Sequence, residues 1–255
     1  MVVMRLVGWL LLSQLSGEVH HSSHLQRFGT TACGYNPFVL QAIDEVQRTA
    51  PDGGGYFTGI KAEPAESPIG YPLQLFGLGL LEPPRTTSYC SGSSYTVFIE
   101  ALNRIFPQGG QLSEERLEAL RMQEPDGGRR EDRVKAWGWW NADGYGTHYS
   151  MVQYLGMGQA VPPAQALPGD FVNISWKSGL GHSVVFLGYS RDEAGALRVS
   201  FFSSQASTNG LADHTVSAST IKDVKFVRLT HPERIWDFSL ESRVDIGVVG
   251  DLLPE

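Results

Sequence analysis

From Pro168 onward the chain is a succession of short runs with the character of strands. DFVNISW (170–176), GHSVVFLGY (181–189), ALRVSFFSSQ (196–205) and KDVKFVRL (222–229) are rich in β-branched and aromatic residues, with turn-forming residues between them. The segments before them read as helices. NPFVLQAIDEVQRTA (36–50) offers Asn36 as a cap and Pro37 at the first helical position, with Phe38, Ala42, Ile43 and Val46 at helical spacing. Pro51 and the glycines at 53–55 end it. TTSYCSGSSYTVFIEAL (86–102) leads into a second helix, with Tyr95, Phe98, Leu102 and Ile105 on one face and Pro107 and Gly109 beyond its end. Residues 113–123 read as a short third helix with Ser113 as cap and Glu114 and Glu115 in its first turn. Helices followed by a run of strands predict an α+β domain, with the helices packed on one antiparallel sheet.

The remaining segments read as connections and appendages. Residues 56–86 are loop-like, and 107–165 reads as an insertion containing the polar EPDGGRRED (124–132) and the aromatic AWGWWNADGYGTHYS (136–150). A chain of 255 residues accommodates one such domain over 26–255. At the N-terminus Arg5 precedes an apolar run over 6–12, then Ser16 and Gly17. That pattern resembles a secretory signal peptide, so residues 1–25 are expected to be leader and linker and the protein to be secreted or held in the periplasm or cell envelope. HHSSH (20–24) then reads as a solvated linker. No apolar run is long enough to span a bilayer. The net charge of −7, without a Lys/Arg run, argues against nucleic acid as a partner. The two cysteines, Cys33 and Cys90, allow one disulfide at most, and no HExxH or CxxC spacing suggests a metal. No cofactor is expected.

Two positions carry the chemistry. Cys90 stands where a helix begins, so first-turn N–H groups and the helix dipole favour its thiolate, the nucleophilic form. The small neighbours Ser91 and Gly92 leave room for a substrate, although the same position suits a small buried core residue. His182 opens a strand between Gly181 and Ser183, and alternation puts it on one face with Val184 and Phe186. A helix-start cysteine meeting a strand-start histidine is the minimal pair for thiol catalysis. In ALRVSFFSSQ the row Leu197, Val199, Phe201 is apolar until Ser203 and Gln205 break it. A polar group there suits the residue that orients the imidazole, with Gln205 or Ser203 as candidates. His214 and His231 stand in polar, turn-like contexts. Trp139 and Trp140 either wall a cleft or pack the insertion onto the body.

The ordered set of CSG opening a helix, PGDFVNISW, GHSVVFLGY and FSSQ resembles the NlpC-like papain superfamily, including its cysteine, histidine-dependent amidohydrolase/peptidase (CHAP) group. The resemblance spans residues 36–209. It implies a papain-like fold, Cys90 as nucleophile, His182 as base and acid, and Gln205 as orienter, where the family more often has His, Asn or Glu. It also implies cleavage of amide bonds in peptidoglycan peptides or another peptide or amide substrate. Ser91, Gly181, Ser203, Trp139 and Trp140 are the candidates for lining the site. Cys33 also precedes a helix, but Pro37 separates its thiol from the helix end, and that helix matches the one preceding the cysteine helix in the family. The alternative reading is a non-catalytic cell-wall or glycan-binding module on the same fold.

Overall fold

The computed structural model describes residues 22–57, 70–82, 86–120, 152, 155–239 and 250–255. Its elements run α1 (His24–Phe28), α2 (Asn36–Thr49), β1 (Leu73–Leu75), β2 (Leu78–Leu81), α3 (Cys90–Ile105), α4 (Glu114–Leu120), β3 (Gly158–Val161), β4 (Phe171–Trp176), β5 (Gly181–Arg191), β6 (Leu197–Gln205), β7 (Gly210–Ser217) and β8 (Ile221–Leu229). The architecture is α+β. A six-stranded antiparallel sheet has the order β3-β8-β4-β5-β6-β7.

The predicted strands are the sheet's interior, β8-β4-β5-β6. Its two edges were not predicted. β3 lies inside the stretch read as an insertion, so residues 158–161 belong to the sheet, paired with β8. β7 is GLADHTVS, too polar to read as a strand, and it places His214 opposite Phe201 rather than in a turn. An edge strand is wetted on one side, so it lacks the apolar signature of its neighbours. The stretch read as all loop, 56–86, holds the hairpin β1–β2.

Alternation sorts the sheet residues onto two faces. One carries Phe171, Val185, Leu187, Phe202 and Val227, packed with Leu40 and Ile43 of α2 and with Tyr95, Phe98 and Leu102 of α3. Helix α3 is buried around nearly its whole circumference, not along one face, because α2, the hairpin and the sheet all pack against it. The other face carries Val172, Ile174, Val184, Phe186, Phe201 and Phe226. There the rings of Phe186 on β5 and Phe226 on β8 meet at 5.2 Å across the intervening β4. Neighbouring strands stand nearly 5 Å apart, and the long phenylalanine side chains lean toward each other over β4 to close that gap.

Two polar anchors differ from expectation. Asn36 does not cap α2; Tyr35 holds that position. Asn36 is fully buried and donates to the Pro168 carbonyl (2.9 Å) and to Asp170 Oδ1 (2.8 Å). Asp170 in turn accepts from Arg228 Nε and Nη2, both at 2.8 Å. Gly169 sits at φ +95°, and a Cβ there would stand 2.8 Å from the Cβ of Asn36, which explains the glycine of the PGD strand entry. His24, read as part of a solvated linker, is 2% exposed. Its Nδ1 lies 2.5 Å from Asp44 on α2 and its Nε2 lies 2.8 Å from Asp213 on β7. Most of the leader, residues 1–21, lies outside the described residues. Among those described, no helix is long and apolar enough to cross a membrane.

Candidate active site

The site forms where β5 and β6 part. Their pairing begins at Val185 opposite Phe202, leaving Ser183 of β5 and Ser203 and Ser204 of β6 outside that ladder. The first turn of α3 fills the opening with small polar side chains. Ser94 Oγ lies 2.7 Å from Ser183 Oγ, and Ser93 Oγ accepts from the Ser204 N–H at 3.1 Å. Ser203 Oγ donates to the Ser183 carbonyl at 2.9 Å, and Ser88 Oγ donates to Ser204 Oγ at 2.7 Å. All six of these serines are buried. A buried hydroxyl without a partner is costly, and each of these has one. The serine-rich helix start thus serves to seat α3 on two splayed strands.

Cys90 is seated by the same arrangement and is 1% exposed. Its sulfur accepts from the backbone N–H of Ser183, from those of Ser91 and Cys90 itself, and from the Tyr89 hydroxyl. The Ser183 amide is the peptide that follows His182, so the thiol is held at the histidine's own backbone. The helix start was expected to favour the thiolate. Burial instead pushes the Cys90 thiol up to about 11, against the pull of those donors. Removing the anion from water costs more than the N–H and O–H groups restore.

His182 lies at the end of the row it shares with Val184 and Phe186, with 8% exposure. Its ring is flanked by Trp176 at 6.0 Å and Phe201 at 5.6 Å. Its Nε2 lies 3.0 Å from Gln205 Oε1. An amide oxygen only accepts, so Nε2 carries the proton and Nδ1 keeps its lone pair. Burial lowers the imidazole to about 4, only partly opposed by the Gln205 bond, so the ring is neutral at pH 7.

Of the residues expected at the site, the structure brings Cys90 and Ser91 together and, separately, His182 and Gln205; the imidazole lies in the row with Val184 and Phe186, on the face of the sheet other than the one packed on α3. Gly181 is exposed beside His182. Ser203 does not reach the imidazole; it bonds the Ser183 carbonyl, so the orienting contact belongs to Gln205. Trp139 and Trp140 lie outside the described residues. Cys33 is exposed and Cys90 buried, and the possible disulfide between them is not formed. The sequence reading missed Tyr89, whose hydroxyl meets the sulfur, and Tyr56, whose ring lies 5.9 Å from that of Tyr89. Tyr56 follows three glycines with φ between +71° and +89°, a run that brings the chain from α2 back to Ser88. That run of left-handed glycines was the available signal. Among the described residues no group of His, Cys, Asp and Glu could hold a metal ion. No known protein family, curated protein or solved structure matches the chain.

Proposed function

We propose that this chain is a thiol-dependent hydrolase that cleaves an amide bond, with Cys90 as nucleophile, His182 as base and acid, and Gln205 as orienter. The observation that carries the reading is the buried contact of His182 Nε2 with Gln205 Oε1 at 3.0 Å, beside a thiol bonded to the amide following His182. That contact leaves Nδ1 as the basic nitrogen. Nδ1 takes the thiol proton as the sulfur attacks the carbonyl carbon, and the tetrahedral oxyanion forms. The imidazolium gives its proton to the leaving amine as the C–N bond breaks, leaving a thioester on Cys90. Water, deprotonated by His182, then releases the acid and restores the thiol. The Tyr89 hydroxyl and the first-turn N–H groups of α3 act on the sulfur and are the donors we assign to the developing charge. At rest the pair is thiol and neutral imidazole, so the ion pair forms only when substrate is in place.

The α+β arrangement, with a cysteine at a helix start and a histidine at a strand start, supports a papain-like, NlpC/CHAP-type fold. The N-terminal leader pattern supports an exported protein, and the substrate we favour is a peptidoglycan peptide. The test is amine release from purified peptidoglycan fragments by the wild type and by Cys90→Ala, with circular dichroism as the folding control. Full release by a folded Cys90→Ala protein would sink the mechanism. One observation favours the non-catalytic reading: the thiol is 1% exposed. Selective labelling of Cys90 by iodoacetamide at neutral pH argues against that reading.

A further inference from the structure

We propose that Ser94 and Ser203 are positioning residues that clamp Ser183 from α3 and β6, so that its peptide N–H stays on the Cys90 sulfur. Ser203 Oγ holds the Ser183 carbonyl at 2.9 Å, and Ser94 Oγ holds the Ser183 hydroxyl at 2.7 Å. Ser94 is itself tied to the helix start, since its Oγ also lies 3.2 Å from both the Cys90 and the Ser91 carbonyls. Ser203 is further steadied by Ser93 Oγ at 3.4 Å. These side chains are at most 2% exposed, so water does not replace a contact that is removed. The clamp lies where β5 has left its ladder with β6 while Ser183 stays opposite Asn173 of β4, so on the β6 side the Ser183 peptide is held by side chains rather than by a strand neighbour. The serines supply those contacts from two independent elements.

The consequence concerns thiol acidity. The Ser183 N–H is one of the donors that offset burial and favour the thiolate. A Ser183 peptide that rotates or drifts weakens that donor and makes the thiol harder to ionise. The role is indirect, because neither Ser94 nor Ser203 bonds the imidazole, and Gln205 alone orients it. The proposal rests on the reading of Cys90 as a functional thiol, yet its test does not require a known substrate.

The experiment follows alkylation of Cys90 by iodoacetamide from pH 7 to above pH 12, peptide by peptide, with mass spectrometry. Cys33, exposed and free, is the internal reference. In Ser203→Ala the inflection of the Cys90 profile moves to higher pH and its rate at pH 8 falls roughly threefold, the scale of a weakened hydrogen bond to a charged group. Ser94→Ala, on the other element, does the same, and Ser203→Thr keeps the wild-type profile. The Cys33 profile stays unchanged throughout. Superimposed Cys90 profiles in folded variants overturn the clamp. So does faster labelling at every pH with no shift of the inflection, which marks simple loosening. A wild type whose Cys90 shows no inflection below its unfolding pH also overturns it. Peptidoglycan hydrolysis is measured in parallel. A shifted thiol profile without hydrolysis leaves the clamp standing and removes the hydrolase, and hydrolysis with unshifted profiles does the reverse.

Discussion

Two histidines in this molecule are both buried and differ in charge. His24 is 2% exposed and His182 is 8% exposed. Burial works against the imidazolium in both cases. At His24 the hydrogen bonds to Asp213 and Asp44 overcome it, and the ring rises from its usual range to about 8. At His182 the partner is the neutral Gln205, burial prevails, and the ring falls to about 4. The charge of the partner, set against the burial of each ring, decides its state. Two carboxylates keep the ring a cation up to about pH 8, and that cation ties α1 to α2 and β7. One amide makes an oriented neutral base. A carboxylate in place of Gln205 would raise the pKa of the imidazole and favour the imidazolium, the form that cannot take a proton.

The largest expected effect separates the two rings by function. His182→Ala should lower amide hydrolysis by about a thousandfold or more, close to the effect of Cys90→Ala, because the thiol loses its base and the leaving amine its acid. His24→Gln should leave the rate per folded molecule within about twofold, since that ring touches no site residue. Steady-state rates on peptidoglycan fragments, normalised to folded protein, decide it. Equal losses in the two variants would break the distinction.

The next test turns one histidine's environment toward the other's. Gln205→Glu should raise the His182 pKa by about two units or more, because a carboxylate favours the imidazolium. The acid limb of kcat/KM should move upward with it. The His182 ring resonance, titrated by NMR, reports the same shift without a substrate. An unmoved titration would show that burial alone governs the ring.

Stability gives the third contrast. The folded pKa of His24, about 8, lies above its unfolded value of 6.5. Its contribution is therefore complete below pH 6.5 and is lost as pH rises through 8, on the order of 2 kcal/mol for that shift. His182 has the opposite sign: its pKa of about 4 lies below 6.5, so stability is present above pH 6.5 and declines as pH falls toward 4. Urea midpoints should fall on both sides of neutrality. His24→Gln should flatten the alkaline side and leave the acid side in place. An unchanged alkaline slope would remove His24 as its source.

The smallest effect belongs to the rim of the His24 junction. Arg27 reaches Asp213 at 2.7 Å, but its side chain is 43% exposed. Arg27→Gln should cost less than about 1 kcal/mol in the same urea titration, as water screens the pair. A loss matching that of His24→Gln would mean that the junction depends on Arg27 for its charge balance.

Much of this molecule is determined by sequence alone, where the signal is local. Helix α2 and helix α3 follow from periodicity, and the interior strands β4, β5, β6 and β8 follow from apolar runs bounded by turns. Cys90, His182 and Gln205 stand out in the sequence because each interrupts a regular pattern at the end of an element, and of these the structure pairs His182 with Gln205. Other features depended on partners far along the chain. His24 meets a carboxylate 189 residues away, and Asn36 meets one 134 residues away. No local pattern records such a pairing, so His24 read as linker and Asn36 as cap. The edges β3 and β7 were hidden because a strand wetted on one side needs no apolar alternation. The acidity of Cys90 was misjudged for a related reason. The helix start is visible in the sequence, but the depth to which the sulfur is buried is set only when α3 seats between β5 and β6, and desolvation then outweighs the dipole.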